Sequence, residues 1–109
     1  SKRNEVELKS GMIVSNEPGY YLQNSHGIRI ENLLLIKEPT EQSQIEKIKT
    51  LSFETLTYCP FDRFLITKDL LTIQEIEWIN SYHQKVIKKY EARLDGEKRS
   101  WLNKICSKL

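Results

Sequence analysis

With 109 residues, the chain suits one modest domain or a piece of a larger one. Its 17 basic and 15 acidic side chains leave a formal charge of +2, which forces no face to be strongly basic and argues against nucleic-acid and membrane-surface partners. The hydrophobic set is 39% and the charged set 29%, enough to fold but not rich in core. No apolar run reaches the roughly 20 residues that a membrane-spanning helix needs, and Ser1-Lys2-Arg3-Asn4-Glu5 opens without the apolar centre of a signal peptide. The cytoplasm is the expected compartment.

The stretch up to about Pro39 reads as β-structure, with Val6, Leu8 and Met12-Ile13-Val14 around a turn at Ser10-Gly11. Asn16-Glu17-Pro18-Gly19 predicts a second sharp bend, because proline pre-sets one φ and glycine is free to turn. After Tyr20-Tyr21-Leu22 and a polar loop, one strand is expected to run from Ile28 to Ile36. Its start alternates, with Ile28 and Ile30 on one face and Arg29 and Glu31 on the other. Its end, Leu33-Leu34-Leu35-Ile36, is apolar enough for burial on both faces.

Glu38 to Thr50 is polar and reads as a surface connection. A further strand is expected over Leu51–Tyr58, with Leu51, Phe53 and Thr55 sharing a face and Pro60 closing it. Thr72 followed by Glu75 fits a capping box. The helix it opens carries Ile73, Ile76, Ile79, His83, Val86, Ile87 and Tyr90 on one side, and Asp95-Gly96 breaks it near Leu94. A shorter helix holds Trp101, Leu102, Ile105 and Leu109. Trp78, Tyr82, Tyr90 and Trp101 are expected to pack between the two helices, or else to form a subunit contact. Cys59 and Cys106 belong to no closely spaced pair and read as reduced, partly buried thiols.

Two chemical readings of the first stretch stay open on spacing alone. Glu17 can be a turn carboxylate, with Arg29 and Glu31 on a solvated sheet face. Alternatively the two strands bring Glu17 and Glu31 together, and converging carboxylates then need a proton or a cation between them. A hard divalent ion with oxygen ligands would meet that need.

Gly11-Met12-Ile13-Val14-Ser15-Asn16-Glu17-Pro18-Gly19-Tyr20-Tyr21, with Gly27-Ile28-Arg29-Ile30-Glu31-Asn32 after it, resembles the end of the catalytic domain of aminopeptidase P, a pita-bread metallopeptidase. Phe53-Glu54-Thr55-Leu56-Thr57, Pro60-Phe61-Asp62, Leu70-Leu71-Thr72 and Trp78-Ile79-Asn80-Ser81-Tyr82-His83 resemble the C-terminal module of its longer members. The resemblance implies an α+β fold: antiparallel strands ending a pita-bread catalytic domain over 1–50, then a small, mainly helical module over 51–109. It implies a dinuclear site, usually manganese, held by two aspartates, one histidine and two glutamates. The substrates implied are peptides with proline at the second position. Glu17 matches a metal ligand that also handles the proton of the attacking water. Glu31 matches the ligand bridging both ions, and Arg29 and Tyr21 match residues that support the site through hydrogen bonds.

No aspartate or histidine precedes Glu17 in this sequence. His26 lies in a loop, and His83 on its apolar stripe reads as a structural, hydrogen-bonded histidine. The chain is therefore expected to be a fragment, inactive alone, and its uncovered strand edges favour a homo-oligomer. The competing expectation is a non-catalytic interaction or oligomerisation module left from a split or decayed peptidase. Prolidase-type dipeptidase chemistry on the same fold is disfavoured by the C-terminal module.

Overall fold

The computed structural model describes residues 5–39 and 50–109, so most of the expected surface connection lies outside the described residues. Two compact units divide the chain, one up to Thr57 and one over Tyr58–Leu109.

The first unit holds β1 (Ile13–Asn16), β2 (Gly19–Leu22), β3 (His26–Arg29), β4 (Asn32–Lys37) and β5 (Ser52–Thr55). β4 lies between β1 and β5, antiparallel to both, while β2 and β3 pair with each other. Ile13 faces Leu35 and Asn16 faces Asn32; further along, Gly19 faces Arg29 and Leu22 faces His26. One register therefore runs through both pairs, and β1–β2 and β3–β4 form a single long hairpin with a gap in its ladder. At the gap the Ile30 N–H donates to the Pro18 carbonyl at 3.0 Å, and proline has no N–H to return. The expected unbroken strand Ile28–Ile36 is thus corrected to two strands, and the cause sits on the partner strand. At the hairpin tip Asn24 takes a φ of 57°, a conformation asparagine tolerates better than most residues.

Other expectations fail as well. Residues 5–9 adopt no regular element, because Gly11, at a φ of 87°, turns the chain off the sheet where β1 begins. Of the apolar run in β4 only Ile36 is fully buried, and Leu33 is exposed. Flanking strands satisfy the backbone of β4 but do not cover its faces. β5 is shorter than expected: after a last backbone bond from the Leu56 N–H to the Leu33 carbonyl at 2.8 Å, side chains take over the ladder. Leu33 N–H donates to Thr57 Oγ1 at 2.9 Å and Asn32 Nδ2 to the Thr57 carbonyl at 2.9 Å. Phe53 is exposed rather than facing a core.

In the second unit, 3-10 turns at Arg63–Leu65 and Lys68–Leu70 lead to α1 (Ile73–Tyr90). The capping box is present: Glu75 N–H donates to Thr72 Oγ1 at 3.3 Å and Thr72 N–H to Glu75 Oε2 at 2.8 Å. A 3-10 turn at Glu91–Arg93 follows, then α2 (Gly96–Ile105). Asp95 does more than break the first helix, because its carboxylate caps the second by accepting the Lys98 N–H at 3.1 Å. The core is Tyr82, Val86, Leu102 and Cys106, with Tyr58, Phe61 and Ile105 packed against it.

Trp78 and Trp101 are more than half exposed, so the expected packing of both tryptophans between helices is corrected. Tyr82 takes the inner position, and Trp78 stacks on its outer side. The cysteines also part: Cys106 is buried and Cys59 exposed, both as free thiols. Burial, with Cys59 nearby, pushes the Cys106 thiol up to about 11. Among the described residues no helix is long and apolar enough to cross a membrane.

Candidate metal centre

The gap in the long hairpin is where the carboxylates stand. Continued through it, the register sets Glu17 opposite Glu31. The Ile30–Pro18 hydrogen bond makes 18/30 a hydrogen-bonded pair, so 17/31 falls at a non-hydrogen-bonded one. There facing side chains come closest, with Cβ atoms about 4.5–5.5 Å apart. The strand period places Ser15, Glu17, Gly19 and Tyr21 on the same face as Gly27, Arg29 and Glu31.

Arg29 answers the repulsion between the two carboxylates. Its Nη1 lies 3.3 Å from Glu17 Oε2 and its Nη2 3.3 Å from Glu31 Oε2, so one planar fork spans both. All three side chains are near half exposure, 43–48%, which keeps each ion pair modest in energy. Ser15 Oγ donates to the other oxygen, Glu17 Oε1, at 2.6 Å. The sequence reading missed Ser15, although its place two residues before Glu17 on a strand puts it on the same face.

Tyr21 belongs to this face for a different reason. A Cβ on Gly27 would sit 2.6 Å from Tyr21 Cδ1, and one on Gly19 would sit 2.7 Å from the Tyr21 hydroxyl oxygen. The ring therefore lies flat along the hairpin over two bare backbone positions. Neither glycine has a positive φ, so close approach and not turning explains them. Gly27→Ala is expected to swing Tyr21 off the face while changing stability by no more than about 0.5 kcal/mol, the surface range. Loss of NOEs between the Tyr21 ring and the Gly19 Hα protons would report it; their survival would refute the close-approach account.

His26 does not join the carboxylates. His26 is on the opposite face, with Nδ1 2.9 Å from Ser25 Oγ and its ring 6.1 Å from that of Tyr20. His83 is buried in the other unit, where Nε2 accepts the Phe61 N–H at 3.1 Å. Among the described residues no group of three or more His, Cys, Asp or Glu can hold a metal ion. Two facing carboxylates suit a hard divalent ion in kind. They fit as two members of a larger ligand set and not as a closed site.

The family model for metallopeptidase family M24 matches residues 1–38, and that for the C-terminal region of peptidase M24 matches residues 49–109; the chain belongs to this family. Within it the similarity is to the aminopeptidases P. The chain is 44% identical over 93% of its length to a probable Xaa-Pro aminopeptidase P of Coprinopsis cinerea. It is 41% identical over 91% of its length to aminopeptidase P2 of Arabidopsis thaliana. It spans only 17% and 14% of those two relatives. Among solved structures, an X-prolyl aminopeptidase from Caenorhabditis elegans, a cytosolic enzyme with a di-nuclear active site, matches all of the chain. The TM-score is 0.82 at 30% identity, over 18% of the nematode chain. The antiparallel strands and helical unit share its pita-bread architecture, as the sequence resemblance implied.

Proposed function

We propose that this chain carries two of the ligands of a dinuclear metal centre, Glu17 and Glu31, in a peptidase that removes the residue preceding an N-terminal proline. The observation that carries the reading is the facing of Glu17 and Glu31 across the proline-made gap, spanned by Arg29. Residues 1–50 end the catalytic domain and 51–109 form its C-terminal module. Bound divalent ions, with manganese the expected metal, supply Lewis-acid activation of the scissile bond. Glu17, at the edge of the gap, handles the proton passed to the leaving prolyl nitrogen. Arg29 holds the two carboxylates at a fixed separation, and Tyr21 walls the same face beside it.

The site's remaining donors, two aspartates and a histidine, are not supplied by this stretch, so the chain alone is inactive and needs them from elsewhere. Substrates are peptides with proline second, the setting is the cytosol, and the working form is a homo-oligomer. A non-catalytic interaction module is the competing reading, favoured by the large apolar side chains left open, such as Tyr20, Phe64 and Leu70.

Manganese titration by calorimetry, on the chain and on Glu17→Ala/Glu31→Ala, tests the reading. Weak binding that disappears in the double variant, without hydrolysis of Xaa-Pro peptides, is the expected result. Binding unchanged by the double substitution would remove both glutamates from the metal centre. Tight binding near two ions per chain would overturn the claim that the chain lacks a working site.

A further inference from the structure

We propose that Ser15 is a positioning residue for the Glu17 carboxylate, fixing the orientation of its plane so that one oxygen is held by the serine hydroxyl and the other stays turned toward the guanidinium shared with Glu31; this rests on the reading of Glu17 and Glu31 as metal ligands. Glu17 is placed by the backbone less firmly than its neighbours, because it stands just past β1, where Pro18 interrupts the ladder. A glutamate there has three rotatable side-chain torsions and is about half exposed. Something other than the backbone must fix the plane of its carboxylate.

Two side chains do so, from opposite sides. Arg29 reaches Oε2 at 3.3 Å, a long contact. Ser15 reaches Oε1 at 2.6 Å, inside the about 2.5–2.7 Å range of hydroxyl-to-carboxylate hydrogen bonds. The serine bond is the tighter and the more local of the two. Ser15 is itself held in β1, facing Leu33 in the central strand of its sheet. Its Cβ direction is therefore set by a paired backbone, unlike that of Glu17. With Oε1 engaged by the hydroxyl, Oε2 is the oxygen that turns toward the guanidinium shared with Glu31. Outer hydrogen bonds of this kind orient a ligating carboxylate and govern how strongly it binds.

The hydroxyl can be removed without disturbing the strand. Thr and Val have the same branched shape and both favour strands, and they differ here by one oxygen. Manganese is titrated into the uniformly 15N-labelled full chain, and the metal concentration that half-broadens the amide signals of residues 15–17 and 29–31 is read. Paramagnetic broadening detects weak binding, so it does not depend on activity or on a complete ligand set. Ser15→Thr should titrate like the parent chain. Ser15→Val should need about tenfold more manganese, the lower end of what losing an orienting partner does to affinity. In a Glu17→Gln background the same Val substitution should leave the residual broadening around Glu31 unchanged, because Ser15 acts through the Glu17 carboxylate.

Val and Thr variants titrating alike would overturn the inference while leaving the metal assignment standing. A Val effect that persists with Glu17→Gln would reassign Ser15 to strand structure. Absence of broadening around Glu17 and Glu31 in the parent chain would instead remove the metal assignment, and Ser15's role with it.

Discussion

Replacing Tyr82 with alanine is expected to destabilise the Tyr58–Leu109 unit by about 3–5 kcal/mol, the range for deleting a large buried aromatic ring. For so small a unit that is comparable with its whole stability. Tyr82 is only 5% exposed, and three rings stack on it: Phe61 at 4.5 Å between centroids, Tyr58 at 5.6 Å and Trp78 at 5.6 Å. Its hydroxyl works separately. It accepts the Cys59 N–H at 3.1 Å and donates to the Cys59 carbonyl at 3.0 Å, tying the segment before the 3-10 turns to the helix. Tyr82→Phe keeps the stack and removes only that tie, which should cost about 1–3 kcal/mol by leaving part-buried backbone groups without their partner. Both tryptophans of the chain, Trp78 and Trp101, lie in this unit, so urea unfolding followed by tryptophan fluorescence reports on it alone. The expected order of stability is parent, then Phe, then Ala. If Phe proved as damaging as Ala, the aromatic stack would contribute nothing measurable. An alanine variant within about 1 kcal/mol of the parent would mean that Tyr82 is not at the centre of a core.

The part Tyr82 plays shows where sequence patterns stop informing. Period and caps are local quantities, and they were legible: Thr72 and Glu75 do cap α1, and His83 and Val86 on the expected stripe are buried. Alternation in Ile28-Arg29-Ile30-Glu31 likewise placed Arg29 and Glu31 on one face, and the structure joins them there. What local pattern omits is the identity of the partner strand or ring. The break between β3 and β4 is written at Pro18, on the other arm of the hairpin. The need for glycine at positions 19 and 27 is written in Tyr21, whose ring lies over both. Tyr82, off the helix stripe but expected among the packed aromatics, is buried as expected, whereas the rings that make it central, Tyr58 and Phe61 returning against α1, are set by residues far from it in sequence. Trp101 misleads in the opposite sense: it carries the largest apolar side chain of the last helix, yet Leu102 and Cys106 face inward and Trp101 does not.

The same dependence on the site governs what sequence could say about chemistry. Glu17 and Glu31 are unremarkable as charges, each near half exposure and each in an ordinary surface ion pair. Their meaning comes from the register that faces them and from the missing N–H of Pro18, which opens the ladder between them. A carboxylate pair at a ladder gap is faced by the strand register but left loose in its side chains. Ser15 and Arg29 supply the missing constraint from either side, one by a short neutral donor and one by a shared positive fork.

Acidification below about pH 6.5, the ordinary histidine value, is expected to weaken the Tyr58–Leu109 unit through His83. Its ring is fully buried, and Nε2 accepts the Phe61 N–H, so the neutral ring carries its proton on Nδ1. Nδ1 has no hydrogen-bond partner among the described residues. Charging the ring would put a second proton on Nε2, directed at another donor, inside an apolar setting. Burial first, and the positive charge of Arg63 second, hold the His83 pKa below its usual value. The unfolded chain therefore binds a proton that the fold refuses, and stability declines as pH falls from the unfolded value toward the folded one. Above that window His83 adds no slope. Glu75 and Asp95 are held below their ordinary values by hydrogen bonds from Thr72 and Lys98, so their contributions fade only at lower pH, under 4.5 and 3.8. His83→Gln separates the two effects, because a glutamine oxygen can accept the Phe61 N–H and does not titrate. Urea midpoints measured between pH 7.5 and 5 should fall for the parent and stay level for the glutamine variant. Parallel declines in both would mean that the acid sensitivity does not come from His83 and leave His83 as packing alone.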